Sequence, residues 1–296
     1  MLIMKKPDIS IVVSNWNSSD ILEEALDSIV STGNDLNFDV TVIDDASTDG
    51  GIAEIAERFK DDDRFTFIVN KINVGQAALN IMLESTQAKY IVTLDSDARL
   101  KPGALQAMFA FMETHPEAGA VTANLLNPDG STQFYYRRIL TPSLYFFTTP
   151  IGRFFDKYFL GLRNMKQYHY DDLDLSHDPE LEQPPIACLM LRHEALGPYI
   201  FDPIFRLFML DVDLSKRLYD HGYKVFLVSD AKVIHLKTVS ASKRGKVWLD
   251  RELNRSFFLY LKKNYPYSTL AMWFVWMLDR VLRTILLRTI GHEPMR

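Results

Sequence analysis

The chain has 296 residues, of which 47% are hydrophobic, so it can bury a sizeable core in one large α/β domain or two small ones. Its net charge of −5 argues against a dedicated nucleic-acid-binding protein, because such proteins usually carry an excess of Lys and Arg. The single cysteine, Cys188, excludes an intramolecular disulfide framework and a cysteine-rich zinc site. No apolar segment with a small-residue cleavage site lies near Met1, so we expect no signal peptide and a cytoplasmic location.

Strand-like and helix-like segments alternate between residues 9 and 94. Short apolar, β-branched runs predict strands at 9–13, 38–43, 65–69 and 90–94. Apolar residues at helical spacing predict helices at 21–30, 52–59 and 76–86. This order implies parallel strands joined by helical crossovers, and hence an open α/β sheet flanked by helices.

The pattern is less regular after residue 100. It predicts helices at 102–113 and 211–221, and strands at 118–123, 186–192, 224–227 and 232–235. The stretch 124–185 is aromatic and rich in turn-forming residues, so we expect loops there. Two further helices are expected at 247–263 and 270–290.

Polar clusters follow three of the predicted parallel strands, at 14–17, 44–49 and 95–97. Open α/β sheets bind ligands at the carboxyl ends of their strands. We therefore expect these clusters to converge on one pocket that is rimmed by carboxylates.

The triplet Asp95-Ser96-Asp97 is the sharpest local motif. Two carboxylates at positions i and i+2 beyond a strand can turn toward one ligand, and hard oxygen ligands suit Mg²⁺ or Mn²⁺. Such an ion could hold a diphosphate and stabilise the charge of a leaving nucleoside diphosphate. Taken alone, the triplet is equally compatible with a solvated turn and a helix cap.

Several segments follow one another in an order and at a spacing that resemble the family 2 glycosyltransferases with the GT-A fold. They are 10–17, 42–50, 73–80, 94–97, 187–192, 209–214, 222–225 and 230–235. The resemblance covers roughly residues 8–240, and within the family it is similar to bacterial rhamnosyltransferase-like enzymes. It implies a GT-A type open, mostly parallel sheet flanked by helices at 1–240, and a helical C-terminal segment at 241–296.

The resemblance also implies an activity, namely metal-dependent, inverting transfer of a sugar from a nucleotide-diphosphate donor. The implied donor is dTDP-rhamnose or a UDP-sugar, and the implied acceptor is a cell-surface polysaccharide or glycolipid. Ser14 and Trp16 match positions that line the nucleobase pocket, and an indole can stack on a pyrimidine. Asp45, with Asp44 beside it, matches the carboxylate that accepts a hydrogen bond from the base.

The resemblance assigns a metal set and a base to the remaining motifs. Asp97 matches the main ligand of Mg²⁺ or Mn²⁺, Asp95 reaches the ribose or assists the metal, and His235 matches a further metal or diphosphate position. By itself, His235 is also compatible with a satisfied interior histidine. Asp211 matches the general base that deprotonates the acceptor hydroxyl.

The sequence departs from the family pattern at Leu210, where Glu is usual. This departure puts the acceptor contacts in doubt, but Asp211 and Asp213 both remain. The pair is also compatible with the acidic first turn of a helix, and the two roles can coexist.

The apolar stretch 270–290 is interrupted by Asp279, Arg280, Arg283 and Arg288, which makes it a poor transmembrane span and a good interfacial helix. We expect it to contact the inner membrane face, with core packing or homodimerisation as the rival interpretation. The basic stretch 238–246 suits either a mobile loop that closes over a sugar diphosphate or an exposed linker.

Two other functions compete with sugar transfer. A nucleotidyltransferase would need a Gly-rich basic loop after the first strand, and 14–20 offers none. A non-catalytic nucleotide-sugar-binding or scaffold protein is the second alternative. The presence of Asp95, Asp97, Asp211 and His235 together argues against it.

Overall fold

A single nine-stranded sheet organises the part of the chain that the computed structural model describes, which is 6–33, 35–162, 164–170, 173–237 and 245–290. The strands are β1 (Ile9–Asn15), β2 (Phe38–Asp44), β3 (Phe65–Val69), β4 (Tyr90–Asp95), β5 (Ala98–Leu100), β6 (Ala118–Leu126), β7 (Glu180–Leu181), β8 (Cys188–Arg192) and β9 (Lys224–His235). Their spatial order is β3-β2-β1-β4-β8-β6-β9-β5, and β7 pairs with β9.

Helices cover both faces of this sheet. The longer ones are α1 (Ser19–Thr32), α4 (Ala104–Thr114), α8 (Leu210–Asp220), α9 (Lys246–Asn264) and α10 (Thr269–Ile290). The shorter ones are α2 (Ile52–Arg58), α3 (Met82–Ser85), α5 (Pro142–Thr148), α6 (Pro150–Phe155) and α7 (Asn164–Tyr168). A 3₁₀ turn (Gly75–Ile81) precedes α3, and a π turn (Asp156–Leu160) follows α6.

The predicted α/β sheet is confirmed, and its strands are parallel in the half formed by β3, β2, β1 and β4. The other half is mixed, because β8 runs antiparallel to both β4 and β6, whereas β6 and β9 are parallel. The two strands predicted at 224–227 and 232–235 are one strand, β9, with an irregular register opposite Ala123 and Asn124.

Side chains along β1 point alternately to the two faces of the sheet, and each face packs against its own layer of the core. Ile9, Ile11 and Val13 face a cluster that includes residues of α1 and α4, whereas Val12 faces a second cluster that includes residues of α8 and α9. The strand is covered on both faces, as is expected of a central parallel strand, although the face of Val12 also carries Ser10 and the partly buried Ser14.

The stretch 124–185, predicted to be loops, contains α5, α6 and α7. Two of these helices begin at a Thr-Pro pair, in which the threonine caps the helix and proline occupies its first turn. Thr141 accepts a hydrogen bond from Leu144 N at 3.2 Å, and Thr149 accepts one from Gly152 N at 3.1 Å. Helices this short lack the repeated apolar spacing that sequence patterns detect.

The predicted helical C-terminal region is present, and its two helices have different surroundings. Phe257, Tyr260 and Leu261 of α9 are buried in the second core cluster. α10 is attached to α9 by Trp276, whose Nε1 donates to Asn254 Oδ1 at 2.6 Å. The described helices include none that is long and apolar enough to cross a bilayer. The division at residue 240 stays a prediction, and 238–244 lies outside the described residues.

Candidate active site

The ends of β1, β2 and β4 meet at one edge of the sheet. Ser14 of β1 lies opposite Ile43 of β2 and opposite Asp95 of β4, so the polar clusters that follow these strands are neighbours. Beyond the strand ends lies a cavity of about 250 Å³. It is lined by six of the predicted site residues, Ser14, Trp16, Asp45, Asp95, Asp97 and His235. The predicted convergence of these clusters is confirmed.

β5 explains why His235 reaches the Asp95-Ser96-Asp97 triplet across a long separation in sequence. This strand starts directly after Asp97 and pairs antiparallel with the end of β9, which places Ala98 opposite His235. One side-chain ligand atom from each of Asp95, Asp97 and His235 lies within 4.8 Å of the others. Two carboxylates and an imidazole at this spacing fit a single divalent cation.

Gln133 fixes the orientation of the His235 ring. Its Nε2 donates to His235 O at 2.6 Å, which leaves its Oε1 to face His235 Nδ1 at 3.0 Å. With this amide orientation, Nδ1 carries the proton and Nε2 keeps its lone pair. Nε2 lies 3.5 Å from Asp97 Oδ1, so the imidazole presents a metal-binding nitrogen to the carboxylates.

The pKa shifts in this cluster reflect concentrated negative charge. The pKa of Asp95 is raised to about 6, mainly by burial and secondly by the charge of Asp97. Burial opposes protonation of His235, but its hydrogen bond to Asp97 and the charges of both carboxylates raise its pKa. A bound divalent cation would neutralise this charge.

Asp45 and Asp44 lie next to each other but face different surroundings. Asp45 lines the cavity and holds the loop before the 3₁₀ turn, because its carboxylate accepts hydrogen bonds from Val74 N at 3.0 Å and from Gly75 N at 2.7 Å. Asp44 is 1% exposed and lies outside the cavity lining. Its carboxylate accepts a hydrogen bond from Asn15 Nδ2 at 2.8 Å.

Three polar side chains that line the cavity were not predicted as site residues: Gln76, Asn73 and Arg206. Gln76 Nε2 lies 3.4 Å from Asp95 Oδ1. Arg206 brings a cation to the cavity that Asp45, Asp95 and Asp97 also line. A Cβ atom at position 75 would lie only 2.3 Å from the carbonyl oxygen of Arg206, and Gly75 has φ +72°. Only glycine allows this close approach, and no sequence motif indicated that 206 would meet 75.

Asp211 lies in the first turn of α8 and outside the cavity lining. Gln183 Nε2 donates to its Oδ2 at 2.6 Å, while burial raises its pKa despite that hydrogen bond. The neighbouring acid, Asp213, is 1% exposed and contacts Arg217 and Lys263 at 3.1 Å and 2.7 Å. One acid of the pair is thus held by an amide, and the other is paired with two cations.

Solved structures with sugar-nucleotide ligands share this fold. The chain is similar to GalNAc-T7 with UDP, GalNAc and Mn²⁺, at a TM-score of 0.59 and 14% identity, covering 79% of this chain and 44% of that one. It is also similar to S. aureus TarS in complex with UDP-GlcNAc, at a TM-score of 0.52 and 18% identity, covering 78% and 59%. At these identities the likeness shows the fold alone, which is the GT-A fold.

Sequence comparison gives the family. The chain is 31% identical over 120 residues to the poly-beta-1,6-N-acetyl-D-glucosamine synthase of Staphylococcus epidermidis, covering 39% of this chain and 28% of the synthase. It spans 28% to 50% of the length of the curated relatives it matches first. Residues 10–173, which are more than half of the chain, match the glycosyl transferase family 2 profile. The protein therefore belongs to glycosyl transferase family 2.

Proposed function

We propose that the protein is a metal-dependent, inverting glycosyltransferase that takes its sugar from a nucleotide-diphosphate donor. The observation that carries this proposal is the grouping of Asp95, Asp97 and His235 within 4.8 Å in the cavity at the strand ends. The UDP and UDP-GlcNAc complexes of structures with the same fold support it.

In this proposal Asp95, Asp97 and His235 hold Mg²⁺ or Mn²⁺. The ion supplies charge stabilisation for the diphosphate when it is bound. Trp16 stacks on the base beside Ser14, and Asp45 accepts a hydrogen bond from that base while it holds the 70–75 loop in place. The buried Asp44 supports this wall through Asn15. Arg206 pairs with the diphosphate, because a guanidinium matches the geometry of phosphate oxygens.

We assign the general base to Asp211. Its carboxylate takes the proton of an acceptor hydroxyl as that oxygen forms a bond to the anomeric carbon, and the bond from that carbon to the diphosphate oxygen breaks. The hydrogen bond from Gln183 holds the carboxylate in place through its Oδ2. The raised pKa makes Asp211 a stronger base than an exposed carboxylate.

We propose a glycan or lipid-linked acceptor of a cell-surface polysaccharide, reached at the inner membrane face through α10. One stripe of α10 exposes apolar side chains at helical spacing, namely Leu270, Trp273, Phe274, Met277, Leu278 and Val281. Such a stripe fits an interfacial helix. In this division, 1–240 forms the catalytic unit and 241–296 the helical contact segment. A homodimer through the same stripe is the competing outcome.

Thermal-shift binding of UDP, dTDP and GDP, each with and without Mn²⁺, tests the proposal. We expect one pyrimidine diphosphate to raise the melting temperature only when metal is present. Asp97→Asn should abolish this rise, and the exposed control Asp63→Asn should retain it. A metal-dependent shift with dTDP would favour dTDP-rhamnose as the donor, and one with UDP would favour a UDP-sugar.

Turnover of the matching sugar donor then separates the enzyme from a non-catalytic binder. An enzyme loses turnover in Asp97→Asn, whereas a binder shows none in the wild type. If no nucleotide gives a metal-dependent shift, the carboxylate cluster is structural and the proposal is wrong.

A further inference from the structure

A cluster of exposed aromatic rings projects from α6 and the π turn. Phe154, Phe155, Tyr158 and Phe159 are 53%, 45%, 61% and 70% exposed. Their rings contact one another, with centroids 4.9 Å apart for Phe154 and Tyr158 and 5.6 Å apart for Phe155 and Phe159. Leu160 and Leu162, at 50% and 52% exposure, extend the apolar surface. We call these six residues the aromatic patch. A contiguous apolar surface of this kind usually marks an interaction site.

The charges beside the aromatic patch are positive. Arg153, Lys157 and Lys166 are exposed. Asp156, the only carboxylate between 150 and 166, is 7% exposed, and its oxygens accept hydrogen bonds from Leu162 N at 3.0 Å and from Asn164 N at 2.8 Å. The segment therefore presents cations and aromatic rings to solvent, although the whole chain has a net charge of −5.

This combination distinguishes among the surfaces that could cover the aromatic patch. A second copy of the same patch would bring Arg153 and Lys157 close to their own counterparts, and like charges across an interface are unfavourable. Aromatic rings flanked by Lys and Arg suit the interface of a bilayer, where rings lie at headgroup depth and cations contact anionic lipids. We propose that the aromatic patch binds the surface of a membrane that contains anionic phospholipids.

The aromatic patch is structurally connected to the surroundings of Asp211. α5 packs against α6, α7 and α10. Arg138 N donates to Tyr168 O of α7 at 3.0 Å, and the adjacent Arg137 exchanges backbone hydrogen bonds with Gln183 at 3.2 Å and 2.9 Å. Gln183 in turn holds Asp211. We infer that docking through the aromatic patch brings lipid-linked acceptors to the Asp211 side of the enzyme, an inference that rests on the proposed function.

Vesicle flotation with the full chain tests the membrane contact without requiring an acceptor. The probes are phosphatidylcholine vesicles with and without phosphatidylglycerol, at low and high salt. We expect binding to the anionic vesicles that weakens with salt. The variants Phe154→Ser/Phe159→Ser and Arg153→Glu/Lys157→Glu are each expected to lower the partition coefficient by about tenfold or more.

Matched controls change equally exposed side chains elsewhere. Val69→Ser/Ile72→Ser replaces residues that are 60% and 71% exposed, and Lys60→Glu reverses an exposed cation. We expect both to bind vesicles like the wild type. A metal-dependent nucleotide thermal shift, expected to be unchanged in all the patch variants, verifies folding and separates this proposal from the glycosyltransferase proposal.

Three outcomes would overturn the proposal. The first is wild-type vesicle binding by the patch variants while Trp273→Ser/Phe274→Ser abolishes it, which would assign docking to α10 alone. The second is equal binding to anionic and neutral vesicles, or no binding to either. The third is a wild-type dimer in sedimentation that Phe154→Ser/Phe159→Ser converts to a monomer, which would make a second copy the occupant.

Discussion

Two of the Asp-x-Asp triplets in the chain, at 95–97 and at 211–213, have opposite surroundings in the fold. Asp95 and Asp97 follow a strand, face one cavity and share it with His235. Asp211 and Asp213 lie in the first turn of a helix and face apart, since one contacts Gln183 and the other contacts Lys263 and Arg217.

The difference shows that the spacing of two acids does not decide how their charge is balanced, because the side chains packed around the two pairs differ. In the first pair, Asp97 lies 3.5 Å from His235 and Arg206 lines the same cavity, while burial and then the charge of Asp97 raise the pKa of Asp95. In the second pair Asp213 contacts two side-chain cations, whereas no cation of the described residues is in hydrogen-bond contact with Asp211, so we expect a different role for each acid.

The largest expected effect separates the two acids of the second triplet. Asp211→Asn should lower turnover by about 10²- to 10⁴-fold, because the general base is removed, and should leave metal-dependent nucleotide binding intact. Product formation and the thermal shift measure the two quantities. Asp220→Asn, at the exposed end of α8, is the matched control. Full activity in Asp211→Asn would remove this acid from the mechanism.

The next effect tests whether the first triplet depends on the orientation of its histidine. Gln133→Leu should weaken Mn²⁺ binding by about 10- to 100-fold, because His235 loses the partner that fixes its tautomer. Titration calorimetry with Mn²⁺ measures the affinity, and Gln87→Leu, an exposed glutamine, serves as the control. Unchanged affinity would mean that His235 is not a ligand.

A smaller effect tests whether the second triplet is tied to α9. Lys263 Nζ lies 2.7 Å from Asp213 and 2.8 Å from Asp202. Lys263→Met should lower the free energy of unfolding by about 2 kcal/mol, less than for a fully buried pair, because Arg217 still contacts Asp213. Urea unfolding provides the measurement, and the exposed Lys262→Met is the control. If only Lys262→Met lowered the free energy of unfolding, Lys263 would not tie the second triplet to α9.

The smallest effect is the pH dependence of the contact between Lys263 and Asp202. Burial would raise the pKa of Asp202, but hydrogen bonding from Ile204 and the Lys263 ammonium outweigh burial and lower it. A carboxylate with a lowered folded pKa stabilises the protein above its unfolded pKa of about 3.9 and loses that contribution as the pH falls through the folded value. The stability difference between wild type and Lys263→Met should therefore shrink below about pH 4. A difference that grows in acid would have the wrong sign.

Much of the cavity lining could be predicted from sequence, because several of its residues follow strands with a clear apolar pattern. Ser14, Trp16 and Asp95 are examples, since the end of each strand fixes their position to within a residue or two. Arg206 and Gln133 could not be predicted in this way. They come from irregular segments, and their position depends on contacts with distant residues such as Gly75 and His235.

The resemblance of several motifs indicated the family. The α/β alternation and the convergence of three polar strand ends could also be predicted, because they depend on local periodicity and on the rule that parallel strands share a carboxyl edge. Only the tertiary structure decided which acids are compensated, that α9 belongs to the core while one stripe of α10 stays exposed, and that the cations around Phe154 are not balanced by Asp156. Such outcomes depend on which side chains pack together across long separations in sequence, and no local pattern specifies those contacts.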